Sequence, residues 1–412
     1  MVSDAAPGSD TARTATAGRI PAPILFLVAL RLGLTSFGGP AAHIGYFRRE
    51  FVERRGWLNE EGFADLLALC QFLPGPGSSQ FAFAVGYLRG EFAGALAAWL
   101  GFTLPSAVLM LGFAGGLGWM PEVAAAGWLH GLKVAAVAVV AQAVWQMGRA
   151  LCPDWPRLFV AAGATAALLC WPAAWVQMVV IGVGAVLGGV LLRNQYSLAQ
   201  VVAAGPLAGA RRRVGLAWLG VFGALLVVLP MVAAATGYGW VALVDRFYRV
   251  GSLVFGGGHV VLPLLESEVV TPGWLGHDTF LAGYGAAQAL PGPLFSFSAF
   301  LGSVSKVGPG GVAGGMLALI AIFLPGLLLV LAASPFWQRL RRQPAAQAAL
   351  RGANAAVVGI LAAAFCRPVL PAGVTDGRAL ALAVLLFAAL QWGKVPAWAV
   401  VLGAAAGGWA WL

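Results

Sequence analysis

The sequence predicts an all-α polytopic membrane protein built from two homologous, inverted repeats with broken half-helices, with about nine to thirteen membrane segments. Composition predicts the solvent: 60% of the 412 residues are hydrophobic and 10% are charged, whereas a soluble chain carries roughly 25% charged residues. Apolar runs of about the 20 residues needed for one bilayer crossing recur along the chain. The motifs of the first half also return in the same order in the second. Lipid cannot satisfy the backbone of an open strand, so helices are the expected form.

Several function classes fall away at once. The apolar runs leave no stretch for a globular catalytic domain, and there is no HExxH, phosphate-binding glycine loop or Ser-His-Asp set. An enzyme is therefore not expected, nor a cofactor or a metal. The formal charge of +10 sits mainly as arginine in short loops and reads as a topology signal, not a nucleic-acid surface. Cys70, Cys152, Cys170 and Cys366 stand singly in apolar surroundings, which indicates neither zinc nor disulfides.

In chain order, residues 1–20 are expected to be a disordered tail. The first repeat, 21–193, holds apolar stretches near 22–39, 62–88, 91–117, 124–148, 157–172 and 174–192. Residues 194–238 are a basic linker plus one unpaired segment near 215–236. The second repeat, 239–412, holds stretches near 239–257, 279–303, 311–333, 346–365, 377–392 and 395–412.

Repetition is specific to the residue. Arg31-Leu-Gly-Leu-Thr-Ser-Phe-Gly-Gly39 returns 218 residues later as Arg249-Val-Gly-Ser-Leu-Val-Phe-Gly-Gly257, and Glu50 returns as Glu268. Trp57-Leu58 and Gln71-Phe-Leu-Pro-Gly-Pro76 return 217 residues later as Trp274-Leu275 and Gln288-Ala-Leu-Pro-Gly-Pro293. Leu104-Pro105 matches Leu324-Pro325, and Gly131 matches Gly352. Basic residues mark retained loops, and they alternate between the halves. Arg48, Arg49, Arg54 and Arg55 follow the first segment, while Glu266 to Asp278 has no Arg or Lys. Gly115 to Glu122 has none, while Arg339, Arg341, Arg342 and Arg351 occupy the matching loop. Matching loops then lie on opposite faces, the pattern of inverted repeats, and the unpaired segment supplies the odd crossing.

Two kinds of interruption recur. Gly38-Gly39 and Gly256-Gly257 break the first segment of each repeat. Pro74-Gly75-Pro76-Gly77-Ser78-Ser79 and Pro291-Gly292-Pro293, followed by Ser296, break the next, which reads as two half-helices entering and leaving on one face. A half-helix N-terminus offers open N–H groups and the positive dipole end, so the expected substrate is an anion; the plainer reading is a kink that serves packing. Arg31 and Arg249 share a repeat position inside apolar helices, where arginine is costly and faces a cavity or partner. Both are expected at the substrate, as are the duplicated Gln71 and Gln288. Glu50, Glu268, His43, His259 and Lys133 are candidates for ion coupling or the pathway; Glu50, among arginines, is expected to be solvated, and an unmatched histidine is more often structural. With no nucleotide-binding loop, transport would run on gradients or the membrane potential.

Phe37-Gly38-Gly39-Pro40 with His43, Trp57-Leu58, Gln71-Phe72-Leu73-Pro74-Gly75-Pro76, and in the second half Phe255-Gly256-Gly257-Gly258-His259-Val260-Val261-Leu262-Pro263-Leu264, Gln288 and Pro291-Gly292-Pro293, closely resemble the chromate ion transporter family. The resemblance runs over nearly the whole chain from about residue 24. It implies a multi-pass inner-membrane carrier that exports chromate and confers chromate resistance, with sulfate as the isosteric competitor. The lipid bilayer is the other expected partner, and a homodimer is a candidate assembly. The residues themselves leave open a sulfate or other oxyanion uptake carrier and, from another class, an anion channel.

Overall fold

The computed structural model describes residues 19–119, 127–171, 173–193, 212–255 and 258–411, and every regular element among them is helical. The first repeat runs through α1 (Ala22–Thr35), α2 (Gly39–Arg48) with a π-turn at Arg49–Arg54, α3 (Glu60–Phe72), α4 (Gly77–Trp119), α5 (Gly127–Leu151), α6 (Trp155–Cys170) and α7 (Ala174–Leu191). α8 (Arg212–Thr236) stands between the halves. The second repeat runs through α9 (Gly239–Leu253), α10 (Val261–Leu265) with a π-turn at Glu266–Val270, α11 (His277–Gln288), α12 (Phe297–Val304), α13 (Gly311–Ala333), α14 (Trp337–Leu340), α15 (Pro344–Ala364) with a π-turn at Phe365–Val369, α16 (Leu370–Gly373), α17 (Gly377–Gln391) and α18 (Ala397–Trp411). Residues 1–18 of the expected tail and 194–211 of the linker lie outside the described residues.

Local chemistry sets several of these starts. The side chains of Asn59, Asp154 and Asp376 accept N–H groups in the first turns of α3, α6 and α17, satisfying donors a helix leaves open. α4 is two helices, because Gly90 and Glu91 leave helical dihedrals and Glu91 takes a φ of 55°.

The interrupted stretches form hairpins that enter and leave on one face. Ile20 N–H donates to the Arg89 carbonyl at 2.8 Å, and the Arg89 guanidinium donates to the Trp57 carbonyl. The start of α1, the end of the α2 π-turn and the end of α4's leading half therefore meet. The second repeat closes alike: Lys306 N–H donates to the Trp274 carbonyl at 2.9 Å, and Gly239 packs on Gly308. Composition cannot tell such half-helices from crossings, so the thirteen apolar stretches reduce to fewer. Among the described residues, five helical stretches are long and apolar enough to cross: Gly77–Leu117, broken at Gly90–Glu91, Gly127–Leu151, Arg212–Thr236, Gly311–Leu340 and Pro344–Gly373. The shorter apolar α6, α7, α17 and α18 pack alongside them and bring the candidate crossings to nine.

The two sets of hairpin mouths face opposite ways. Asp65, near the start of α3, accepts from Trp337 Nε1 at 2.9 Å and from Arg341 at 2.5 Å, which places the first-repeat mouths beside the end of α13. The second-repeat mouths lie beside its start, about 35 Å away along a 23-residue helix. Arg48, Arg54 and Arg55 thus share a face with Arg339 and Arg341, the cytoplasmic one by the basic-loop rule. In a cysteine-free background, Glu61→Cys is expected to react with an impermeant thiol reagent only from the cytoplasm and Thr271→Cys only from outside. Labelling of both from one side would refute inversion.

Glycines let backbones meet at equivalent places. A Cβ on Gly33 would lie 2.6 Å from the Phe102 carbonyl, and one on Gly251, its repeat mate, 2.1 Å from the Ile322 carbonyl. The halves also exchange helices. α5 packs with α17 and α18 through Gly131 against Ala404, and α15 packs with α6 and α7 through Gly352 against Gly184. The closing pair of each repeat therefore rests on the other repeat.

Candidate anion-binding site

At the centre, the two kinds of interruption meet each other. α1 stops at Thr35, and the chain turns through Gly38 at φ 95° and Gly39 at φ 74°, conformations that favour glycine. The Pro-Gly-Pro turns place Gly75 at φ 124° and Gly292 at φ 92°. Gly75 N–H donates to the Val254 carbonyl at 2.8 Å, and Gly292 N–H donates to the Ser36 carbonyl at 2.9 Å. Ser36 and Val254 are repeat mates, as are Gly75 and Gly292. Each turn thus caps the broken helix of the other half, and the repeat relates the two contacts.

The first turn is closely packed. Gly75 packs on Gly326, and Gln80, fully buried, donates to the carbonyls of Pro74 at 2.9 Å and Gly326 at 3.1 Å. The second borders a cavity of about 220 Å³ lined by Gly38, Gly39, Gln142, Gln146, Gln288, Gly292, Leu294 and Ala397, with apolar side chains between them. That volume is many times what one water needs. Three helix starts converge on it: α2 at Gly39, the 3₁₀ turn Leu294–Ser296 that leads into α12, and α18 at Ala397. Neither α2 nor the 3₁₀ turn has a side-chain cap; Pro40 has no N–H and the Ser296 N–H donates to the Pro293 carbonyl at 3.0 Å, so the donors these starts offer are the N–H groups of Gly39, Leu294 and Phe295, at the positive ends of their helices. Gln288 keeps a buried Nε2 donor without a hydrogen-bond partner. Among the described residues, no Asp, Glu, Lys or Arg lines the cavity. A neutral, donor-rich pocket of this kind suits an oxyanion.

A family model described as chromate transporter matches residues 24–190 and 241–409, most of the chain. The chain belongs to the chromate transporter family. As a member it is a membrane transport protein, not an enzyme. It is 29% identical to a probable chromate transport protein of Synechococcus elongatus over 81% of both chains. It is 27% identical to a chromate transport protein of Cupriavidus metallidurans over 82% of this chain and 80% of that one. A chromate transport protein of Pseudomonas aeruginosa is 29% identical over 85% and 83%. No solved structure matches.

Within this chromate transporter chain, the residues singled out from sequence separate into groups. Gly38, Gly39, Gln288 and Gly292 come together at the cavity, while Pro291, Pro293 and Ser296 border a small adjoining void with Ser106, whose hydroxyl lies 2.7 Å from that of Ser296. Pro74, Gly75, Pro76 and Gly77 belong to the closely packed turn, and Gln71 is exposed away from the cavity. Ser79 is buried with an unpartnered hydroxyl. Ser78 serves His43, whose Nδ1 lies 3.0 Å from its hydroxyl and whose Nε2 lies 3.2 Å from the Ser36 carbonyl. A carbonyl only accepts, so Nε2 carries the proton and the ring bonds both partners as a neutral group that holds the break closed. Gly256 and Gly257 lie outside the described residues, as does the side chain of His259.

The charged candidates do not reach the cavity. Leu25, Val28, Ala29 and Leu32 form the buried stripe of α1, which turns Arg31 outward, where it is exposed. Arg249 pairs with Asp245 at 2.5 Å, and Lys133 with Asp278 at 3.1 Å. Glu50 is buried, contrary to the solvated position expected for it: the π-turn adds a residue to its helical turn, and Glu50 sits at 2.6 Å from Arg55, whose guanidinium lies 5.0 Å from the Trp57 ring. Glu268 occupies the same place in the second repeat, paired with Arg246, which stacks 5.5 Å from Trp274. Each hairpin mouth is thus closed by one Glu–Arg–Trp cluster. Sequence reasoning missed Arg246, whose repeat mate is Val28. It also missed Gln142 and Gln146, although a polar pair four residues apart in the apolar α5 was a readable signal.

Proposed function

We propose that the protein is a secondary carrier of the inner membrane that exports chromate from the cytoplasm and so confers chromate resistance. The observation that carries this reading is the neutral cavity where three helix starts and the Gln288 amide converge at Gly38, Gly39 and Gly292. A tetrahedral dianion gains several N–H bonds there without a permanent counter-charge, which permits both binding and release. The family and the names of its relatives supply chromate, and sulfate, of the same shape and charge, competes at such a site.

The inner cavity lies where cytoplasmic anion would load it. α5 begins on the outer side, where Lys133 bonds Asp278, and Gln142 and Gln146 stand about two and a half and three and a half turns further toward its cytoplasmic end. The cavity therefore approaches the cytoplasmic side. An inside-negative potential favours loss of a dianion outward by about 2.3 kcal/mol per charge per 100 mV. Counterflow of radiolabelled chromate in proteoliposomes is expected to saturate and to be competed by sulfate, and expressing cells are expected to accumulate less chromate than controls. Higher accumulation would replace export with uptake, and non-saturating flux would make the protein a channel.

A further inference from the structure

A second cavity, of about 250 Å³, lies between α6–α7 and α15 and is lined by Gln177, Glu266, Ser267, Thr271, Arg367 and Pro368, among others. Glu266, Ser267 and Thr271 belong to the outer hairpin mouth, so this cavity opens on the face opposite the first. The repeat relates the two. Gln146 of the inner cavity corresponds to Arg367, by the offset of 221 that pairs Gly131 with Gly352, and Ala397 corresponds to Gln177, by the offset of 220 that pairs Gly188 with Gly408.

We propose that this second cavity is an outer-face binding site for the same class of tetrahedral oxyanion, with Arg367 as its cationic ligand. The proposal rests on the carrier reading given above and adds the opposite port to it. Arg367 sits in the π-turn Phe365–Val369, a distortion frequent at functional sites, whereas α5 runs on as α-helix through Gln146. One guanidinium nitrogen donates to the Leu169 carbonyl at 3.0 Å, and among the described residues Arg367 has no carboxylate partner. Its remaining donors suit a bidentate oxyanion. Gln177, more than nine-tenths buried, has an Oε1 with no hydrogen-bond partner, which suits the hydroxyl of a singly protonated oxyanion or a bridging water. Ser267 donates to the Leu264 carbonyl at 2.9 Å.

Among the described residues Glu266 is the one carboxylate on the lining, and it faces His277. His277 Nδ1 lies 3.3 Å from it, and His277 Nε2 lies 3.2 Å from the Pro368 carbonyl. The Glu266 carboxylate beside the ring holds the His277 imidazole above its ordinary value. Asp278 is likewise matched by Lys133. Arg367 is the cationic side chain on the lining, and Glu266 is turned to His277.

The test compares the two faces in right-side-out and inside-out vesicles, reading the half-saturating chromate concentration on each. Losing a hydrogen bond to a charged group costs about 1.5–3 kcal/mol, so Arg367→Gln is expected to raise the ratio of outer to inner values about tenfold or more, with Arg367→Lys between. Sulfate competition added outside is expected to weaken in parallel. An unchanged ratio, or an equal shift on both faces, overturns the outer site. If Arg367→Gln does not reach the membrane, Ser267→Glu puts a negative charge in the same cavity and is expected to raise the ratio; no change overturns the proposal equally. Failure of the unmodified protein to saturate with chromate from either side would instead sink the carrier reading.

Discussion

Replacing Gln288 with glutamate is expected to reduce chromate counterflow to background while the protein still accumulates in the membrane. The substitution preserves shape and exchanges a buried, unpartnered N–H donor for a carboxylate oxygen at the wall of the inner cavity. A dianion there loses a hydrogen bond of about 1.5–3 kcal/mol and gains a like charge at close range. Gln288→Leu removes only the donor and is expected to raise the half-saturating concentration about tenfold to a hundredfold. Tyr284, one turn earlier on α11 and fully buried, separates a structural contribution: Tyr284→Phe leaves the Gln288 donor in place and is expected to transport at lower thermal stability. Near-normal half-saturation in both Gln288 variants would show that the anion binds elsewhere.

The broken elements were legible because breaking is local chemistry. Adjacent glycines and a Pro-Gly-Pro turn interrupt a helix wherever they stand, and the repeat offsets predicted the equivalence of Gly33 with Gly251 and of Gly75 with Gly292, later seen in their shared contacts. What each open end meets is a tertiary fact. Nothing near Gly292 in sequence indicates that it bonds Ser36, nor that the last two helices of each repeat pack on the other one. Charge was misleading for the same reason. An arginine in an apolar helix reads as a site from composition, yet its direction is fixed by which neighbours the helix buries, and the stripe Leu25, Val28, Ala29 and Leu32 excludes position 31. Burial of Glu50 depends on a π-turn, which rotates every later side chain and leaves no period-based signal.

Removing the Arg341 side chain is expected to lower stability by about 3–5 kcal/mol, because it strands a buried carboxylate. Asp65 and Arg341 have side chains 5% and 11% exposed and meet at 2.5 Å. With Trp337 Nε1 also bonded to Asp65, they fasten the α3 hairpin of the first repeat to the end of α13 in the second. The repeat mate of Asp65 is Ala282, so the outer face cannot build the same lock from the corresponding position. Thermal unfolding in detergent is expected to show a clear fall in Tm for Arg341→Ala and a smaller one for Asp65→Asn, which keeps an acceptor for Trp337. The double variant Asp65→Leu with Arg341→Met removes both charges and is expected to recover most of the loss, since a buried pair exchanged for apolar side chains is often neutral. A Tm unchanged in Arg341→Ala, or losses that simply add in the double variant, would show that the halves are held together on this face by apolar packing alone.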